Sequence, residues 1–419
     1  MKKYIIFLFF FILITSLMAQ PRRGERPLFR SGSKPIYVES HVVPHDSSNI
    51  CYITYRVPYS NLVFIKDDIV YSAGIVFRVE VTGEAGVLAR ESTHDKIKVN
   101  TYEETKNPNS FLEGILSFEI KNEEATINPL VSLDNTDRQV PLRPFKLLTD
   151  DVKPIVAINS SGCSNSIGYK LVNYENDVPF DNNNYVLLIP IYGKKLDKIK
   201  VILSQDEKEI ISKELDRSLF LQYGFQKCNE NIYLTENLSN VTSSLFILDK
   251  FSHLLDEGPF EIEVKNSIDS VLYSGEMNSS WVNKPMSLMN PKAAYELLEV
   301  MTNEDALDKI YDEADGEYED AIKLFWKKYD PDKNTKFNQL EYEFYARADK
   351  AIREYSATGD RAGKLSDRGK IYVKYGEPAE VERYYSDKNE ITEVWKYVSP
   401  KTQFVFVDVT GLGKYKLSN

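Results

Sequence analysis

The chain reads as a multidomain, mostly β protein: two N-terminal all-β domains of the immunoglobulin-like sandwich kind, then a C-terminal α+β domain of helices plus a small antiparallel sheet. Three observations predict this. Short alternating runs separated by Gly, Asn, Asp and Pro fill residues 35–284, the pattern of antiparallel strands. The apolar period then changes from the strand value to the helical one. The roughly 400 residues that remain once a leader is removed exceed what one hydrophobic core supports.

The first residues, MKKYIIFLFFFILITSLMAQ, carry Lys2 and Lys3, an apolar run from Tyr4 to Leu13, and small or polar residues up to Ala19. That is the layout of a signal peptide, with cleavage after Ala19. The run is shorter than the roughly 20 apolar residues a membrane-spanning helix needs. Position 20 is Gln, not Cys, so no lipoprotein anchor is expected. The expected product is periplasmic or secreted and has no integral membrane span. Losing residues 1–19 moves the formal net charge from −11 to −13, because two lysines and no acid leave with them. Such an acid excess argues against a nucleic-acid partner, since neutralising phosphates takes clustered Lys and Arg in excess. Residues 20–34, rich in Pro, Gly, Ser and Arg, read as a disordered arm.

The first β domain is expected over 35–150. CYITYRVPY alternates, AGIVFRVEV sets Ile75, Phe77 and Val79 against Val76, Arg78 and Glu80, and GILSFEI follows after polar turns. The second is expected over 151–284, from NYVLLIPIY, KIKVILSQ, EKEIISKEL, SSLFILDKF, GPFEIEVKN and SVLYSGEM, with CNENIYLTENLSNVTS as a long loop or frayed hairpin. The C-terminal domain is expected over 285–419. Asn290 and Pro291 suit a cap and first helical position, and Thr302 with Asp305 fits a capping box. Tyr318, Ala321, Ile322, Phe325, Trp326 and Tyr329 lie on one helical face that stops before Asp330-Pro331. Phe337, Leu340, Phe344, Ala348, Ile352 and Tyr355 predict a longer helix ending near Gly359. KIYVKY, ITEVWKY, TQFVFVDV and KYKL read as strands.

Between that helix and those strands lies GKLSDRGKIYVKYGEP, residues 363–378. Together with FWKKYDPDKNTKFNQLEYEFYARADKAIREYS, EVWKY, FVFVD and GLGKYKL, it resembles the GWxTD domain of exported proteins of Bacteroidetes and related bacteria, over about the last 130 residues. Gly363 and Asp367 fit the name-giving motif, Ser366 stands for Thr, and Lys364 replaces the Trp. The resemblance implies an extracytoplasmic domain of unknown biochemical function and supplies no catalytic residue. On their own chemistry, Gly363, Ser366, Asp367, Arg368, Gly369, Tyr375, Gly376 and Pro378 read as a structural clasp between helices and sheet. The two early glycines supply special backbone angles, Asp367 bonds backbone N–H groups, Arg368 is free to pair with an acid on the helices, and Gly376 with Pro378 closes a strand.

One loop carries candidate metal chemistry. Asp330, Asp332, Asn334, Asn338 and Glu341 occupy the positions at which an EF-hand presents oxygen ligands to calcium. Thr335 stands where that loop turns on Gly, and the alternative reading is a polar helix connector. His41 and His45 are separated by roughly 13 Å if they share a strand, too far for one zinc ion. Cys163 and Cys228 either pair in an oxidising compartment, leaving Cys51 as a buried thiol, or all three are unpaired. No nucleophile elbow, phosphate-binding loop or zinc-protease signature is present. The preferred expectation is a non-enzymatic, exported interaction or structural module with an envelope or extracellular protein partner and no cofactor other than calcium. The alternative is a hydrolase with its site between the second β domain and the C-terminal helices.

Overall fold

The structure is a computed structural model that describes residues 35–121, 124–147, 153–193, 195–237, 241–356, 364–386 and 390–418. The expected signal peptide, the expected disordered arm and Gly363 lie outside the described residues. Sheets dominate the first two thirds of the chain, and helices with a four-stranded sheet form the last third. Among the described residues no helix is long and apolar enough to cross a membrane.

The chain divides into two compact units, but not at residue 150. One unit holds Val57–Leu112 and Thr126–Phe145, while Tyr37–Arg56 and Glu113–Ala125 belong with everything from Lys146 onward. The reason is apolar pairing. Val43 and Tyr52, on the first hairpin, lie in the same core as Ile155, Leu188, Phe225 and Leu245, and apolar area taken from water outweighs nearness along the chain.

The first unit is built on a long hairpin, Val70–Gly83 against Gly86–Val99, whose first strand also pairs with Ala125–Leu133. Ala73, Ile75, Phe77, Val79 and Val81 are buried, the alternation anticipated from the sequence.

In the second unit the strands expected to form another sandwich pair differently. Ile155–Asn159, Ser166–Leu171, Asn231–Asn237, Leu219–Cys228, Ser243–Leu248 and Val186–Tyr192 close into a barrel in that order. A separate five-stranded sheet runs Val178–Pro179, Val271–Ser280, Gly258–Lys265, Lys198–Gln205, Lys208–Asp216. The segment expected to be a loop or frayed hairpin supplies a full barrel strand, Asn231–Asn237, because Ile232 and Leu234 point into the core. Cys163 and Cys228 form a disulfide across 65 residues, and Cys51 is a free buried thiol.

The C-terminal helices are Pro291–Leu297, Glu304–Glu313, Tyr318–Lys328, Gln339–Tyr355 and Asp367–Tyr375. Asn290 caps the first through Ala293 N–H. Asn303, one residue later than expected, caps the second through Ala306 N–H. On the long helix the buried positions are Phe344, Tyr345, Ala348 and Ala351, while Leu340 is 39% exposed. The apolar stripe is therefore rotated from the expected one, since Phe337 precedes a helix that starts only after the Asn338 cap. Glu380–Tyr385, Ile391–Tyr397, Thr402–Asp408 and Lys416–Leu417 form an antiparallel sheet in sequence order. Trp395 and Phe406 of this sheet share a core with Trp326, Tyr345 and Ala348 of the helices.

Candidate functional site

The largest correction to the sequence reading falls on the clasp itself. Lys370–Tyr375, expected to be a strand, and the three residues before it form one helix, Asp367–Tyr375. Its β-branched and aromatic residues suit a strand, but the ends are those of a helix. Ser366 Oγ accepts Gly369 N–H at 3.1 Å, Asp367 sits in the first turn and Lys374 in the last, and Gly376 closes the helix at φ +76°. Ile371, Tyr372 and Val373 are all buried. Gly369 needs no special backbone angle. It is buried in the first helical turn, where a Cβ would lie 3.1 Å from Leu365 Cδ2, so its role is close packing.

Each remaining motif residue is occupied internally. Asp367 Oδ2 accepts Leu417 N–H at 3.1 Å and lies 3.9 Å from Lys416 Nζ, tying the helix start to the last strand. Arg368 pairs with an acid on the sheet, not on the helices: its Nη1 donates to Glu393 Oε2 at 3.0 Å, and its guanidinium lies 3.8 Å from the centre of the Tyr415 ring. Arg383 donates to the other oxygen of Glu393. Burial pushes the Glu393 carboxyl up, and the hydrogen bonds from Arg383 and Arg368 outweigh it, leaving the pKa below the ordinary value. The Tyr375 ring contacts Phe404 and Tyr397, and Gly376 O accepts the Tyr397 hydroxyl at 3.0 Å. Pro378 lies in the connection to the Glu380–Tyr385 strand.

In the candidate calcium loop several side-chain oxygens bond the chain itself. Asp330 Oδ1 accepts Asp332 N–H at 3.0 Å, and Asp332 Oδ1 accepts both the N–H and the side-chain amide of Asn334. Asn338 Oδ1 caps the long helix through Leu340 and Glu341 N–H, and its Nδ2 donates to Trp326 O at 3.1 Å. Among the described residues no group of three His, Cys, Asp or Glu side chains is placed to hold a metal ion. Glu341, at the last of the candidate positions, is perturbed by its surroundings. Burial pushes its carboxyl up to about 7, with Asp330 and Glu257 adding to the rise and Lys284 opposing it.

What sequence reasoning missed is the groove beside the motif. A cavity of about 770 Å³ is bounded by the Pro291–Leu297 helix and its 3₁₀ extension on one side and by the Asp367–Tyr375 helix on the other. Leu297, Val300, Leu365, Ile371 and Leu417 supply its apolar lining. Glu296 and Glu299 come from the first wall, Lys370 and Lys374 from the second. None of these four charges has an ion pair among the described residues, although such pairs are common elsewhere in the chain. Their spacings, three and four residues, put each pair on one helical face. The lysine pair was legible only once residues 367–375 were known to be helical, and the Ser366 cap was the available signal.

No curated protein matches the chain. The elements that build this groove, clasp and sheet fall within one stretch, and that stretch, residues 283–418, matches the family model of the GWxTD domain.

Proposed function

We propose that the protein is an exported, non-enzymatic cell-envelope protein whose GWxTD domain binds a protein partner through the charged groove. The observation that carries this is the set of four unpaired charges over an apolar lining. Their arrangement, acids on one wall and lysines on the other, fits an amphipathic helix of the partner with basic residues along one flank and acidic residues along the other. This is recognition of a helix in a groove, in which the apolar stripe gives affinity and the flanking charges fix direction. What supports export is the signal-peptide pattern of residues 1–19, with its expected cleavage after Ala19.

The test uses the full chain in its native cell. A photo-crosslinking residue placed at Glu299 or at Lys370 is expected to capture the same partner, through a helical segment with that charge pattern. Lys309, exposed on the neighbouring helix, is the control position. Reversal of Lys370 and Lys374 to Glu should abolish capture from Glu299. Equal capture from Lys309, or capture that survives the reversal, refutes the groove as the binding surface.

A further inference from the structure

A second cleft, of about 330 Å³, lies where the five-stranded sheet meets the start of the long helix. We propose that it binds a neutral sugar, one or two residues of an oligosaccharide. Three features of the lining carry this. The first is aromatic surface. Phe180, Trp281 and Phe337 pack edge to face with centroids 5.4 to 5.6 Å apart. Tyr342 joins them 5.9 Å from Phe337. Phe180, Trp281 and Tyr342 are half-buried and offer apolar ring surface to the C–H face of a pyranose, backed by the buried Phe337, while Trp281 and Tyr342 each carry a polar edge.

The second is a set of unspent hydrogen-bonding groups. Asn182, Trp281, Gln339 and Tyr342 line the cleft, and the Asn182 amide, Trp281 Nε1, the Tyr342 hydroxyl and Gln339 Oε1 have no hydrogen-bond partner among the described residues. They offer both donors and acceptors, the mixture that adjacent hydroxyl groups require. Pockets that recognise small ligands typically combine apolar and aromatic walls with a few such polar groups, and this volume is at the small end of their range.

The third is charge. No Lys, Arg, His or Glu lines the cleft. Its one acid, Asp181, is spent within its own turn. Oδ1 accepts Asn183 N–H at 2.8 Å, and Oδ2 accepts the Asn183 amide at 2.9 Å and the Tyr185 hydroxyl at 2.8 Å. Lys284, 5.4 Å from the centre of the Trp281 ring, is paired with Glu257 at 2.8 Å, so among the described residues the lining offers no free cation for a phosphate or carboxylate and no free anion for an ammonium group. A proline-rich peptide would also use ring surface, but it offers few groups to four separate donors and acceptors. A sugar satisfies them, and leaving them unpaired in a closed complex would be costly.

The three tryptophans make the test direct. Trp326 and Trp395 are 1% and 2% exposed, while Trp281 is partly open, so quenching by acrylamide reports on the cleft. The full mature chain would be titrated with maltotriose, cellotriose, mannotriose and chitotriose, and with hexaproline and choline as competitors of other chemistry. At least one trisaccharide is expected to protect Trp281 saturably, and Trp281→Phe should remove the signal. Asn182→Ala and Tyr342→Phe, which spare the ring packing, should each weaken binding about fivefold, the equivalent of one hydrogen bond. The proposal fails if no trisaccharide protects, if hexaproline or choline protects instead, or if both variants bind as the parent does.

Discussion

Replacing Glu341 by Gln should stabilise the C-terminal domain at neutral and alkaline pH. The Glu341 carboxyl is raised from 4.5 to about 7, first by burial and then by Asp330 and Glu257 against the opposing Lys284. A raised carboxyl pKa means that the folded state holds its proton while the unfolded state has released it. Between about pH 4.5 and 7 the unfolded chain binds fewer protons, so stability falls as pH rises, then levels off. A shift of this size corresponds to at most about 3 kcal/mol, at roughly 1.4 kcal/mol per pKa unit. Gln keeps the shape and cannot ionise, so the variant should match the parent near pH 4.5 and exceed it by up to that amount at pH 8. Other carboxyls titrate in the same window, so the quantity to follow is the difference between variant and parent in urea unfolding. Trp326 and Trp395 both lie in the C-terminal core, which makes their emission the natural signal. A difference that stays constant from pH 4.5 to 8, or that changes sign, would refute the reasoning.

Three further outcomes follow from partnered groups. Glu393→Gln leaves Arg368, whose side chain is 12% exposed, without its counter-charge and should cost about 3 kcal/mol. Arg383→Ala removes a half-exposed partner of the same carboxylate and should cost about 1 kcal/mol or less in the same urea titration. Replacing Cys163 and Cys228 by Ser opens a 65-residue loop and should lower stability by about 4 kcal/mol on the chain-entropy account, read by the urea midpoint with and without reductant. A midpoint indifferent to reductant would show that the bridge is not formed.

The strands of KIKVILSQ were legible because one face is buried and the other is not, and their burial alternates residue by residue. The same rule misled at KIYVKY. Alternation cannot be told from a short helix when consecutive residues are all buried, and Ile371, Tyr372 and Val373 are. There the caps held the information: Ser366 before the element and Gly376 after it. Pairing partners were less legible than elements. Nothing local says that Asn231–Asn237 closes a barrel or that the first hairpin packs with residues after 150, since both depend on long-range apolar contacts. Candidate ligands are ambiguous for a different reason. Asp330, Asp332 and Asn338 have the residue types and spacing of a calcium loop, but a side chain that bonds its own backbone has the same spacing.

Glu393 shows why partnering is the better guide to function than residue type. It is buried, charged and held by two arginines, a combination that often marks an active centre. Here both its oxygens are engaged by Arg368 and Arg383, and Trp395 and Tyr397 share its inward parity on the strand. A charge so fully satisfied can fix the helix against the sheet, and it has little left to offer a ligand. Asp367 and Asp181 are satisfied in the same way. Glu296, Glu299, Lys370 and Lys374 are exposed, have no ion pair among the described residues, and flank an apolar lining. Charges not engaged inside the chain are open to a partner, so the proposed function takes the family motif as the frame and the groove beside it as the binding surface.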